Sequence, residues 1–157
     1  MDKRIRLLLD AYDEAFDRRS WHGTNLRGSI RGLTAEEAAW RPSPKRHNIW
    51  EVVVHAAYWK YIVRRRILGE KRGSFPLKGS NWFRRPVERS RKAWMADCEL
   101  LESEHRLLRQ VIASLNPRKL RSSPAGSQFT VEQTIRGVAA HDLYHAGQIQ
   151  LLKRFLR

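Results

Sequence analysis

Two histidines stand four residues apart in the segment "HDLYHAGQI" at positions 141–149. Residues four apart on a helix lie on one face, about 6 Å from each other. His141 and His145 could therefore reach one metal ion, as helical histidine pairs do in zinc sites. The pair could equally belong to a polar core held by hydrogen bonds, and its spacing alone does not separate the two interpretations.

A third histidine strengthens the metal hypothesis. His55 lies within "VVVHAAYW" at 52–59, the most apolar stretch of the chain, where burying an unpartnered ring costs about 2 kcal/mol or more. Metal ligands in a helical bundle project inward from facing helices. His55, His141 and His145 would then place three neutral nitrogens around one ion.

Polar and aromatic neighbours could support such a site. Asp142, Glu51 and Gln148 are candidates to hold the rings through second hydrogen bonds, as is usual around metal ligands. Trp59 and Tyr144 could form the walls of a pocket, and they could equally be plain core residues.

The remaining histidines and the cysteine have weaker functional interpretations. His105 could be a fourth ligand or a base, although a buried, hydrogen-bonded ring is the simpler expectation. His47 could line the mouth of the site or remain a surface residue. His22 could form part of a pocket wall, and Cys98 fits a small core residue.

The first half of the chain contains two predicted long helices. Apolar residues at helical spacing predict a helix over about 2–18. Thr34 begins a short helical turn with a capping-box pattern. Asn48 and Glu51 repeat that pattern and begin a helix that runs to Gly69, a residue type that commonly ends helices. Its apolar middle predicts that this helix is buried on nearly every face.

The second half of the chain contains two more predicted long helices. After a predicted loop at 70–86, apolar positions stepping by four and three predict helices over about 87–115 and 130–155. Gly137 and Gly147 weaken the last helix, and we expect another helix or a ligand to come close there. We expect one all-α domain spanning 1–157, most simply a four-helix bundle.

Composition limits the setting. Six Trp and 41% hydrophobic residues in 157 indicate a globular protein. One cysteine excludes an internal disulfide and favours a reducing compartment. With no signal-like or membrane-spanning stretch, a cytoplasmic location is expected. The net charge of +15 favours anionic partners, and nucleic acid is the obvious one to consider.

The segments "HNIWEVVVHAAYWK" at 47–60 and "VAAHDLYHAGQIQLLKR" at 138–154 resemble the DinB/YfiT-like family of metal-dependent enzymes. "WHGTNLRGSIRGLTAEEAAWRP" at 21–42 is similar to a DinB-like subgroup. The resemblance implies an up-down-down-up four-helix bundle that is often a homodimer. It also implies a three-histidine site for zinc or nickel, matching His55, His141 and His145.

Two classes of function follow. The resemblance implies a metal site that activates water or a low-molecular-weight thiol, which would make the chain a hydrolase or a thiol transferase acting on a small molecule. The net charge favours an anionic one. The alternative is a basic helical module that binds nucleic acid and keeps its histidines as a metal-free polar core. The high charge is unusual for the family and leaves the substrate open.

Overall fold

The computed structural model describes residues 1–156, and these residues form helices with no strand among them. The α-helices are α1 (Lys3–Phe16), α2 (Leu26–Ile30), α3 (Ala35–Ala39), α4 (Ile49–Leu68), α5 (Arg91–Ala113) and α6 (Val131–Phe155), with a 3₁₀ turn at Pro117–Arg121. The all-α prediction is confirmed, and α1, α4, α5 and α6 are the four long helices expected. The up-down-down-up order and the single-domain division stay predictions.

The helices begin where their capping residues lie. Thr34, Asn48 and Thr130 each close a capping box with the carboxylate or amide three residues further on. Gly69 ends α4 in the left-handed conformation, at φ 71°. The predicted start of the third long helix at 87 is wrong, because the Ser90 hydroxyl accepts a hydrogen bond from the Ala93 amide and sets the first helical residue at 91.

The long helices pack so that α4 and α1 each contact both α5 and α6. As expected, α4 is buried along most of its length. The inner face of α6 also matches the prediction; its buried members include Val131, Ile135, Val138, Asp142, His145 and Ile149. Polar side chains of α6 therefore lie inside the bundle.

The two glycines of α6 do not mark a close approach, so that expectation is wrong. A Cβ atom added at Gly137 or Gly147 would meet no heavy atom within 4 Å. Both residues lie on the exposed side of α6. Within the described residues, no helix combines the length and the apolar character needed to span a membrane.

Candidate metal centre

The three predicted histidines come together between α4 and α6. His141 Nε2 lies 3.1 Å from His55 Nε2 and 3.0 Å from His145 Nε2. One nitrogen from each ring lies within 4.8 Å of the others. One ring from α4 and two from successive turns of α6 thus converge through the same ring atom.

Two of the rings are oriented by acceptors at their other nitrogen. His55 Nδ1 lies 2.8 Å from the backbone carbonyl oxygen of Asn81, and His145 Nδ1 lies 2.7 Å from Gln148 Oε1. Because both oxygens only accept, each Nδ1 must carry the hydrogen. In a neutral ring the Nε2 atom then presents a lone pair to the centre of the cluster.

The cluster therefore has fewer hydrogen-bond donors than acceptors. His141 Nε2 faces two lone pairs and could donate to only one of them. The Nδ1 atom of His141 is also buried, and it has no hydrogen-bond partner in the described part of the chain. A group of converging lone pairs that cannot satisfy one another suits a cation.

Burial keeps these rings neutral. It lowers the pKa of His55 to about 4 and that of His141 to about 3, and the neighbouring histidines add to both shifts. The pKa of His145 is also lowered, mainly by burial. Neutral imidazole is the form that binds metal, so the cluster needs no deprotonation near pH 7.

The loop between α4 and α5 supports the centre in a way that the sequence did not reveal. The ring of Trp82 is stacked between His47 and His55, with centroids 3.6 and 3.8 Å away. Asn81 has a positive φ of 63°, and its side chain accepts a hydrogen bond from Trp59 Nε1 at 2.9 Å. The predicted loop therefore fixes the ring of His55.

Only one of the three expected ring-orienting residues has that role. Gln148 contacts His145 as predicted, whereas Glu51 binds Arg41 at 2.7 Å and His47 at 2.9 Å. Asp142 pairs with Lys60 instead. Successive residues of a helix point about 100° apart, so Asp142 faces Lys60 while His141 faces His55.

The Lys60–Asp142 pair forms a second buried polar group. Both side chains are fully buried, and Lys60 Nζ also donates to Tyr12 Oη at 3.4 Å and lies 4.6 Å from the centroid of that ring. Burial raises the pKa of Asp142 to about 6 and lowers that of Lys60. Each charge offsets the burial of the other, and sequence reasoning missed this lysine entirely.

His105 belongs to this second group and not to the histidine cluster. Its ring stacks on Phe16 at 3.8 Å and on Tyr12 at 4.4 Å, and its Nε2 lies 3.9 Å from an Asp13 oxygen. Burial lowers its pKa to about 2. The buried-ring expectation is confirmed. The prediction of a hydrogen bond to this ring is wrong, because His105 Nδ1 has no partner among residues 1–156.

The other candidates have minor roles. His22 is exposed and lines neither cavity described below. His47 is exposed but stacks on Trp82, as a residue at the mouth of the site would. Cys98 is half-buried, and burial raises the pKa of its thiol to about 12, so it is a poor nucleophile.

Two cavities flank the cluster, one towards each end of α6. One, of about 360 Å³, touches His141 and is lined by Trp59. The other, of about 510 Å³, touches His145 and is lined by Trp82 and Tyr144. The pocket-wall interpretation of Trp59 and Tyr144 is therefore supported, and small molecules could reach the histidines from either side.

Comparison with known proteins gave one match. The family described as the DinB superfamily matches residues 18–149, which is most of the chain and includes all three histidines. The search of curated proteins and the search of solved structures each found no match to the chain.

Proposed function

The chain belongs to the DinB superfamily, which is associated with metal binding, and on that premise we propose that His55, His141 and His145 bind one divalent metal ion, zinc or nickel. The observation that carries this proposal is the convergence of three Nε2 atoms, two of them fixed as lone-pair donors. His141 Nε2 can donate a hydrogen to only one of those two lone pairs, and no other donor in the described structure faces them.

The proposed activity is hydrolysis, or transfer of a low-molecular-weight thiol to an electrophile, with a small anionic substrate. When bound to three protein nitrogens, a divalent ion keeps positions open and lowers the pKa of a water or thiol that binds there. The Asn81 carbonyl and Gln148 keep two rings turned inward, as partners of metal-bound histidines do. Trp82 covers one face of His55 and limits the access of water.

Assembly and location are part of the same proposal. We infer a homodimer in the cytoplasm, with the single cysteine kept as a thiol. Exposed apolar residues on α6, such as Leu151 and Phe155, would suit contact with a second copy. Light scattering at several protein concentrations tests this, because a stable monomer throughout would contradict the inferred homodimer.

The net positive charge favours the nucleic-acid alternative, but many of the arginines that could contact phosphates are paired within the protein. Several arginines are paired with carboxylates: Arg27, Arg41, Arg64, Arg85, Arg106 and Arg109. A nucleic-acid-binding module predicts affinity for DNA or RNA that falls steeply with salt. Titration of duplex DNA at two salt concentrations distinguishes this alternative from a metalloenzyme.

The decisive experiment is elemental analysis of protein purified without a histidine tag. We expect about one zinc or nickel per chain in the wild type and in the control His22→Ala, which changes an exposed histidine, and none in His145→Ala. Circular dichroism verifies that each variant is folded. A wild type that takes up no metal after incubation with either ion, or an unchanged content in His145→Ala, would overturn the proposal.

A further inference from the structure

We propose that the cavity beside His141 binds a small organic anion, with its apolar body in the cavity and its acidic group on Arg66. This inference deepens the proposed function and rests on it, since it names the chemical class of the substrate and the side of the histidine cluster from which it approaches.

The walls of this cavity are mostly apolar. Trp59 and Val63 come from α4, Val138 comes from α6, and Phe129 closes it from the loop before α6. Phe129 is 63% exposed, which is high for a ring of this size. A volume of about 360 Å³ is at the small end for ligand pockets and suits one ring or a short alkyl chain.

Arg66 supplies the positive charge. It is the last of three consecutive arginines, of which Arg64 pairs with Glu104 at 3.2 Å and Arg65 donates to the Glu70 carbonyl oxygen at 3.1 Å. Arg66 lines the cavity, and no carboxylate in the described residues pairs with it. An unpaired guanidinium beside an apolar wall favours an amphipathic ligand with a carboxylate or a similar planar acid.

The same cavity touches the centre of the proposed chemistry. His141 lines it, and this is the ring whose Nδ1 atom lacks a protein partner. Three further polar residues lie along the cavity: Ser127, Gln133 and Thr134. A ligand held by Arg66 and the apolar walls is therefore in contact with a histidine of the cluster.

Two glycines of α6 provide a matched pair of variants. Gly137 lines the cavity, and a Cβ atom there meets only open space. Gly147 is equally open and lies on the same helix, but it lines neither cavity beside the histidines. Gly137→Leu therefore adds a bulky side chain at the wall of the cavity, while Gly147→Leu makes the same change elsewhere, and both raise helix propensity.

The experiment is calorimetric titration with phenyl- and alkyl-carboxylates of increasing chain length and with the matching neutral amides. Each protein is measured free of metal and loaded with zinc. We expect the wild type and Gly147→Leu to bind at least one acid about fivefold or more tightly than its amide. Gly137→Leu should lose about tenfold or more in affinity, and Arg66→Gln should bind acid and amide equally.

The outcomes separate the two proposals. Binding that survives Gly137→Leu, a preference for acids that survives Arg66→Gln, or no binding of any probe at millimolar concentration would each overturn the cavity assignment, even if zinc binds. Conversely, probe binding with the expected variant effects in a protein that takes up no zinc or nickel would support the anion site and remove the metal proposal. Thermal unfolding verifies that both leucine variants are folded.

Discussion

The histidine cluster and the Lys60–Asp142 pair are both polar groups in the interior, and they lie one residue apart along α6, yet they are built differently. The pair is closed in charge, because its acid and its base are in contact and Tyr12 provides a further partner for Lys60, while Asp142 Oδ1 has no hydrogen-bond partner among residues 1–156. The cluster is open, because His141 Nε2 can donate a hydrogen to only one of the two lone pairs that face it. A buried charge with a partner of opposite charge stabilises the fold, whereas lone pairs without hydrogen-bond donors indicate a binding site for a cation.

The largest effect is expected from opening the closed group. Lys60→Met leaves the Asp142 carboxylate buried without its cation, which should lower the free energy of unfolding by about 3–5 kcal/mol. Urea denaturation measures the change. The double variant Lys60→Met/Asp142→Leu should recover most of it, since a matched apolar pair can replace a buried ion pair. If the single variant is as stable as the wild type, the pair does not hold the fold together.

The next effect comes from filling the open group. Zinc or nickel at about 100 times its dissociation constant should raise the free energy of unfolding by about 2.7 kcal/mol, because the folded chain binds the ion and the unfolded chain does not. Thermal unfolding with and without the ion measures this shift. The shift should vanish in His141→Ala and persist in the Lys60→Met/Asp142→Leu double variant. Loss of the shift in the double variant would show that the two groups are not independent.

A smaller effect is expected one step out from the rings. Gln148→Ala removes the acceptor that orients His145 and should weaken metal affinity by about 10–100-fold without removing the site. Competition with a metal chelator gives the affinity. Gln150→Ala, two residues further along the same helix, serves as the control and should behave like the wild type. Equal affinities in the two variants would remove the orienting role of Gln148.

The smallest effect, taken per pH unit, is a dependence of the free energy of unfolding on pH. In the folded chain the pKa of His105 is about 2, below its ordinary 6.5. Between these two values the ring binds a proton in the unfolded chain and stays neutral in the folded chain. Stability should therefore fall as the pH drops below about 6.5, by about 1.4 kcal/mol per pH unit from this group. His105→Phe keeps an aromatic ring against Tyr12 and should remove that part of the slope. Denaturation at several pH values measures it, and His22→Phe should keep the full wild-type slope.

The sequence predicted the histidine cluster better than the Lys60–Asp142 pair, because the histidines form a recognisable pattern in the sequence and the lysine does not. His141 and His145 share a helix face, and His55 stands out in an apolar run, so spacing and contrast were enough to bring the three residues together. Lys60 looks like any charged residue near the end of an apolar stretch. Only its contacts with Tyr12 and Phe16 of α1 and with Asp142 of α6 show that it is buried.

The supporting contacts show the same limit. Gln148 lies three residues from His145 on one helix, so its role was within reach of periodicity. Asn81 acts on His55 from 26 residues away through a loop, and no rule of spacing relates the two. The capping residues fixed the helix starts because caps are local, except where an unrecognised cap at Ser90 shortened α5.

The contact between His55 and Asn81 has a practical consequence. The acceptor is a main-chain carbonyl, so no side-chain replacement at position 81 deletes it, and alanine scanning would not detect its contribution directly. Residues added to or removed from the segment between α4 and α5 would shift that carbonyl while leaving every histidine in place. The length of this connection is thus a means of adjusting the proposed ligand His55 without mutating any of the three histidines.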